Sequence, residues 1–363
     1  MIDYLLRKAL AREFLTVGEA LRLYLECPLP ELALAADMLR REAMDDPTTV
    51  TWQIDRNVNI TNVCISGCKF CNFHRRPAER DKAFVTTIDE YCRKIDETLA
   101  LGGDQLLLQG GLHPSLGIEF YEDLFRELKR RYPALRLHAL GPPEVAHIAR
   151  ISSLDVVQTL ERLVAAGLDS LPGAGAEILV DDVRRRISPA KPSVDQWFEV
   201  MAAAHAMNLP TSATMMYGHI ETPAQRIEHL IRLRDLHARR PDGTWGFTAF
   251  IPWIYHGEGT VLEREGVVAH FSPTEYLRLI AISRIVLAGV RNIQASWLTV
   301  GRQTAQLALH GGANDMGSIM IEENVVSSAG AANSLDANGI QSAIREAGFT
   351  PALRDQLYRL RHL

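Results

Sequence analysis

Eight times between residues 53 and 321, a short strand-like segment ends in glycine, proline or polar residues and gives way to a stretch of helical periodicity. The strand-like segments are 53–60 (QIDRNVNI), 104–109 (DQLLLQ), 135–140 (LRLHAL), 168–172 (LDSLP), 211–216 (TSATMM), 246–251 (GFTAFI), 292–297 (NIQASW) and 313–321 (ANDMGSIMI). Helical patterns between them include 89–101, 119–131, 155–166, 194–207, 223–238 and 274–288. Such alternation predicts an α/β fold with a parallel sheet, and eight is the number that closes a (β/α)8 barrel. An open barrel of six strands is the alternative. Residues 1–47 read differently, as an N-terminal helical extension with apolar positions every three or four residues. Within it Thr16 and Glu19 have the spacing of a capping box. No linker divides residues 48–363, which are expected to form one barrel with C-terminal helices.

In a barrel of this kind the chemistry sits on the loops that follow the strands. Taken in order, those loops carry Cys64, Cys68 and Cys71, then Gln109-Gly110-Gly111, Glu144, Glu177, His219, Trp253, Ser296-Trp297, and Glu322-Glu323. The three cysteines are the sharpest signal. Soft thiolates bind iron–sulfur clusters, zinc or copper, and a four-iron cluster takes four ligands. Only three are offered within reach, because Cys27 and Cys92 lie in helical patterns far from any partner. Three thiolates leave one iron open, and an open position is where a metal centre does chemistry. A zinc knot completed by His74 and a simple electron-carrying cluster are the competing readings.

Composition narrows the partners. A net charge of −5 gives no basic field for nucleic acid. No stretch reaches the ~20 apolar residues of a membrane span, and the charged N-terminal residues do not form a signal peptide. Five cysteines make no disulfide framework. A small-molecule substrate and a cytoplasmic location are the expectation.

The C-x3-C-x2-C spacing, with Phe70 just before the last cysteine, resembles the signature of the radical S-adenosylmethionine (SAM) superfamily. That resemblance implies a TIM-type barrel and two cofactors, a 4Fe–4S cluster on Cys64, Cys68 and Cys71 and SAM on its open iron. It implies that the pair Gly110-Gly111 after Gln109 lets backbone groups approach the cofactor's methionine moiety. It also implies that Phe70, Glu144 and Glu177 lie near the cofactor, although each glutamate is equally placed to cap the following helix.

The likeness extends along the chain. SLPGAGAEIL (170–179), ATMMYGHIET (213–222), GFTAFIPW (246–253), NIQASW (292–297) and GANDMGSIMIEENVVSSAG (312–330) resemble the dehypoxanthine futalosine cyclases of the futalosine route to menaquinone. Two sister families are similar: the aminofutalosine synthases and the second subunit of the deazaflavin-chromophore synthase. The sequence departs from the cyclase pattern at His74, at Ala139-Leu140-Gly141 and at residues 255–260. What the resemblance implies is a ring closure. A 5′-deoxyadenosyl radical takes hydrogen from the 4′ carbon of the substrate ribose, the carbon radical adds to the benzoate ring, and loss of an electron and a proton restores aromaticity. It further implies a reducing donor such as flavodoxin or ferredoxin. For the substrate, His219, Ser296 and Asn314 are candidates to hold the benzoate carboxylate. Glu322 or Glu323 is the candidate for ribose hydroxyls or the departing proton, and only one of two adjacent strand residues faces inward. Trp253 and Trp297 are candidate walls for the aromatic ring. Ordinary roles in the barrel core are the alternative for each.

Overall fold

In the computed structural model, which describes residues 1–79, 81–322, 324, 327–330 and 333–361, nine strands are seen. They are β1 (Thr49–Gln53), β2 (Asp55–Asn59), β3 (Gln105–Gln109), β4 (Arg136–Ala139), β5 (Thr211–Tyr217), β6 (Phe247–Ile254), β7 (Asn292–Ile293), β8 (Asp315–Ser318) and β9 (Thr350–Leu353). β1 and β2 form one stave interrupted at Ile54. Parallel pairing runs from β2 through β3 to β4, and from β5 through β6 to β7. Single bridges supply the missing links. His138 with Ser170 and Leu171 with Thr211 make a short fourth stave, and Gln294 with Asp315 joins β7 to β8. β8 pairs with β1, so eight parallel staves close into a barrel and the open six-stranded alternative falls away.

Two strands are shorter than the sequence implies. The fourth stave pairs only at Ser170 and Leu171. β7 stops after Ile293, because Ser296 already starts the helical turn Trp297–Val300. β9 was not expected. It holds Pro351, which cannot donate to a ladder and so argues against a central strand. It nevertheless pairs in parallel with β1, Thr49 opposite Thr350 through Trp52 opposite Leu353.

Caps fix where the outer helices begin. Thr87 and Glu90 form a reciprocal box at the start of Ile88–Ala100, and Asp155 with Gln158 does so for Val156–Ala166. Each such cap stabilises its helix by about 1 kcal/mol. The expected Thr16–Glu19 box is present and starts Val17–Glu26. The first amphipathic stretch is thus two helices, Ile2–Leu10 and Val17–Glu26, with Arg12 at a positive φ of 58° between them. Helix Leu29–Ala43 packs on Pro273–Val286, and Val17–Glu26 on Pro223–Ala238, so these N-terminal helices add to the outer layer of the barrel.

The first stave is polar on its inward face. Gln53, Asp55, Asn57 and Asn59 alternate into the barrel, all buried. Arg56 turns outward to Glu97, 2.6 Å away, while Ile54 and Val58 join the hydrophobic core. A lumen with polar groups along one whole stave is built to hold something other than apolar side chains.

Candidate active site

The loop after β2 carries the three cysteines and is pinned on several sides. Cys64 N–H donates to the Arg75 carbonyl at 2.9 Å and Arg75 N–H to the Asn62 carbonyl at 2.7 Å. Ile65 N–H reaches the Leu112 carbonyl at 3.1 Å, and Lys69 N–H reaches that of Ile187 at 2.8 Å. The sulfurs of Cys64 and Cys68 share one neighbour, the Ser66 hydroxyl, at 2.9 and 3.2 Å. The Leu112 N–H also donates to Cys64 Sγ at 3.2 Å. Hydrogen bonds to ligating sulfurs of this kind tune an iron–sulfur centre. All three cysteines line one end of a cavity of about 390 Å³ that runs down into the barrel.

The donor set fits a cluster better than a single ion. Among the described residues no three Cys, His, Asp or Glu side chains are placed to hold one metal ion, whereas three thiolates around an open cavity suit a cubane with one free iron. His74 Nδ1 meets the Cys71 carbonyl at 2.8 Å, and His74 is not grouped with the cysteines as ligands of a single ion. Burial pushes the Cys68 and Cys71 thiols up, partly offset at both by the nearby Lys191 ammonium.

Lys191 was not foreseen, and it organises one wall. It lies between Ala190 and Pro192 in the loop after helix Asp181–Ile187. Its Nζ bonds Glu177 Oε1 at 2.6 Å and sits 5.2 Å from the Phe70 ring centroid. Burial works against this ammonium, but Cys68 and Glu177 outweigh it and hold its pKa above the usual lysine value. Glu177 has a φ of 41°, and its Oε2 is buried without a hydrogen-bond partner. Phe70, Glu177 and Lys191 therefore form a charged, aromatic-backed patch in the cavity.

Glu144 takes the capping role. Its two oxygens accept the Gly110 N–H at 2.8 Å and the Gly141 N–H at 2.7 Å, tying the end of β3 to the start of helix Pro142–Ile151. Burial raises its carboxyl to about 7 despite these bonds. Glycine at 111 also has a reason within the fold. Gly111 N–H donates to the Thr61 carbonyl at 2.8 Å, and a Cβ there would lie 2.2 Å from the Val63 carbonyl oxygen. Close approach of the cysteine loop by itself excludes a side chain at that position. Gln109, Gly110, Gly111, Glu144, Glu177 and Phe70 do all line the cavity.

Of the expected substrate residues, Ser296, Trp253 and Trp297 come together there. Ser296 Oγ is buried without a partner, and Trp297 Nε1 donates to the Ser318 carbonyl at 3.1 Å. Three others lie elsewhere. Asn314 stands just before β8, at the strand's N-terminal end, where it serves Arg284 Nη2, Ile293 N–H and Asn292. His219 is buried against the Met216 carbonyl and the Ile220 N–H. Burial lowers its pKa, partly offset by the Glu221 carboxylate 3.0 Å from Nδ1. Glu322 turns outward to an ion pair with Lys94 and Arg56. Glu323 lies outside the described residues.

A closed parallel barrel with a three-cysteine loop after its first stave defines the class of this protein. The profile of the radical SAM superfamily matches residues 58–233, and that of the CofH/MqnC C-terminal region matches residues 244–363. Cyclic dehypoxanthine futalosine synthase of Streptomyces coelicolor is 45% identical over 98% of this chain and 87% of its own length. That of Halalkalibacterium halodurans is 40% identical over 99% and 95%. The 5-amino-6-(D-ribitylamino)uracil–L-tyrosine 4-hydroxyphenyl transferase 1 of Methanosarcina mazei is 39% identical over 96% and 91%. Among solved structures, methylornithine synthase aligns with a TM-score of 0.72 at 19% identity, over 96% of this chain and 97% of that one. The hydrogenase maturase HydG aligns at 0.74 and 14%, over 99% and 76%. The chain belongs to the radical SAM superfamily, in the branch that carries the CofH/MqnC C-terminal region. It is an enzyme whose cofactors are a 4Fe–4S cluster and SAM.

Proposed function

We propose that this enzyme closes the ring of dehypoxanthine futalosine, forming the cyclic product on the way to menaquinone. The observation that carries the proposal is near-full-length identity of 45% to the Streptomyces coelicolor synthase of that name. Cys64, Cys68 and Cys71 would hold the cluster, and Phe70, Gln109, Gly110, Gly111, Glu144 and Glu177 would surround SAM. Together these cofactors supply a 5′-deoxyadenosyl radical. The protein's own task is to align two parts of one molecule and keep water away from a carbon radical. Trp253 and Trp297 offer flat apolar walls for an aromatic ring. Ser296 Oγ offers a buried hydroxyl to a polar substituent. A flavodoxin or ferredoxin would deliver the reducing electron. The cytoplasm is the inferred location, supported by five free cysteines, Cys27, Cys64, Cys68, Cys71 and Cys92. Among the described residues no helix is long and apolar enough to cross a membrane.

The transferase reading has its own support in the 39% identity to the Methanosarcina mazei enzyme. One assay separates the two. Reconstituted, reduced protein is incubated anaerobically with SAM and dehypoxanthine futalosine, and products are read by mass spectrometry. The cyclase yields 5′-deoxyadenosine and a product about 2 Da lighter than the substrate, the mass of two hydrogens. Cleavage of SAM only when tyrosine and 5-amino-6-(D-ribitylamino)uracil are supplied would assign the transferase instead.

A further inference from the structure

We propose that Asp55, on the inward face of the first stave, anchors the substrate inside the barrel by accepting a hydrogen bond from one of its ribose hydroxyls. This rests on the reading of the substrate as dehypoxanthine futalosine. Asp55 is only 4% exposed. Its Oδ2 accepts the side-chain amides of Gln53 at 2.7 Å and Gln105 at 2.9 Å. Its Oδ1 is buried with no partner, and the residue lines the cavity.

The arrangement is enforced from the far end of the chain. Arg354 grips both oxygens of Asp315, at 2.7 and 2.9 Å, and donates a further N–H to Gln53 Oε1. With its oxygen so engaged, Gln53 has only its NH2 to offer Asp55. One carboxylate oxygen is thus saturated by the protein and the other is left for a donor from the cavity. Two residues along the same face, Asn57 Oδ1 is a second buried acceptor without a partner. Leaving a buried carboxylate oxygen unsatisfied is costly, and a sugar hydroxyl supplies the missing donor. The benzoate carboxylate, which has acceptors only, is rejected at the same spot. Asp55 lies four residues, about 13 Å at the usual strand rise, before Asn59 at the mouth of the stave. It therefore sets which end of the substrate enters deepest.

The test compares full-length, cofactor-loaded wild type with Asp55→Asn. The amide oxygen keeps the bonds to Gln53 and Gln105, while an NH2 replaces the open acceptor. Binding of dehypoxanthine futalosine and of analogues each lacking one ribose hydroxyl is measured by anaerobic calorimetry, beside iron content and turnover. Asp55→Asn is expected to raise the substrate Kd about 100-fold with iron content unchanged. One deoxy analogue should bind wild type that weakly and lose nothing further in the variant. Equal Kd in variant and wild type overturns the anchor. So does parent-like binding of every deoxy analogue to wild type, an arm that needs no variant to fold. Wild type that binds the substrate without cyclising it overturns the cyclase reading alone, and wild type that does not bind it overturns both.

Discussion

Lys191 meets Glu177 at 2.6 Å in a contact where both side chains are nearly withdrawn from water, 11% and 6% exposed. The pair stands beside Cys68 and behind Phe70, so charge balance at the cluster end of the cavity depends on it. Removing Lys191 leaves Glu177 with only the longer buried ion pair to Arg184 Nη1, at 3.8 Å. Lys191→Met should destabilise the protein by about 1–3 kcal/mol, the usual cost of a buried acceptor that loses its hydrogen bond. Adding Glu177→Gln should restore much of that loss. Urea denaturation of the single and double variants checks this, and a single variant as stable as wild type would refute it.

Alanine at Cys64, Cys68 or Cys71 should each abolish the 4Fe–4S absorbance and bring bound iron to background, with SAM cleavage lost. Alanine at Cys27 or Cys92 should leave iron content at the wild-type level. Cys27 is buried beside the Pro28 carbonyl and Cys92 lies on the outer helix Ile88–Ala100, neither in the cavity. Iron retained in a Cys68→Ala variant would disprove the three-ligand assignment.

Gly111→Ala drives a methyl group into backbone, 2.2 Å from the Val63 carbonyl oxygen and 2.8 Å from Cys64 Cβ. The cysteine loop must shift, so iron incorporation should fall and stability should drop by about 1–3 kcal/mol. Gly18→Ala is the contrasting case. It sits in helix Val17–Glu26 with nothing within 4 Å of the added carbon, and it should stabilise by up to about 1 kcal/mol. Thermal melts and iron assays of both variants decide the matter.

Glu144 predicts a pH dependence. Burial lifts its carboxyl from 4.5 to about 7. Between those values the folded protein holds a proton that the unfolded chain has already released. The unfolded state binds fewer protons, so this group's contribution to stability falls as pH rises through the window and levels off above about pH 7. The change is on the order of 3 kcal/mol. Glu144→Gln cannot titrate and should lack that decline. Parallel stability–pH curves for wild type and variant would count against the shift.

Much of this architecture was legible in the sequence, because strand and helix periods differ and the chain repeats the pair eight times. The cluster loop was legible because thiol spacing is itself the chemistry. What stayed hidden depended on direction. Sequence puts Asn314, His219 and Glu322 near strand ends, but not on one side of the barrel wall. Asn314 faces the base of its strand, and Glu322 faces Lys94 outside. Asp55 was visible as part of an alternating polar face, Gln53, Asp55, Asn57 and Asn59, yet a period of two says only strand until the barrel closes around it. Lys191, a single lysine before a proline, gives no local signal at all.

The bond from Arg354 to Gln53 spans 301 residues, and it has a consequence for biosynthesis. The first stave leaves the ribosome about 300 residues before the guanidinium that neutralises Asp315 and orients Gln53. Until residue 354 is free, Asp315 lacks its bidentate counter-charge and the edge of β1 that β9 covers stands bare. Contacts so distant along the chain form slowly. A nascent or truncated chain lacking this segment is therefore the form most exposed to mispairing, and the floor of the reaction chamber is completed only after all eight staves have been made.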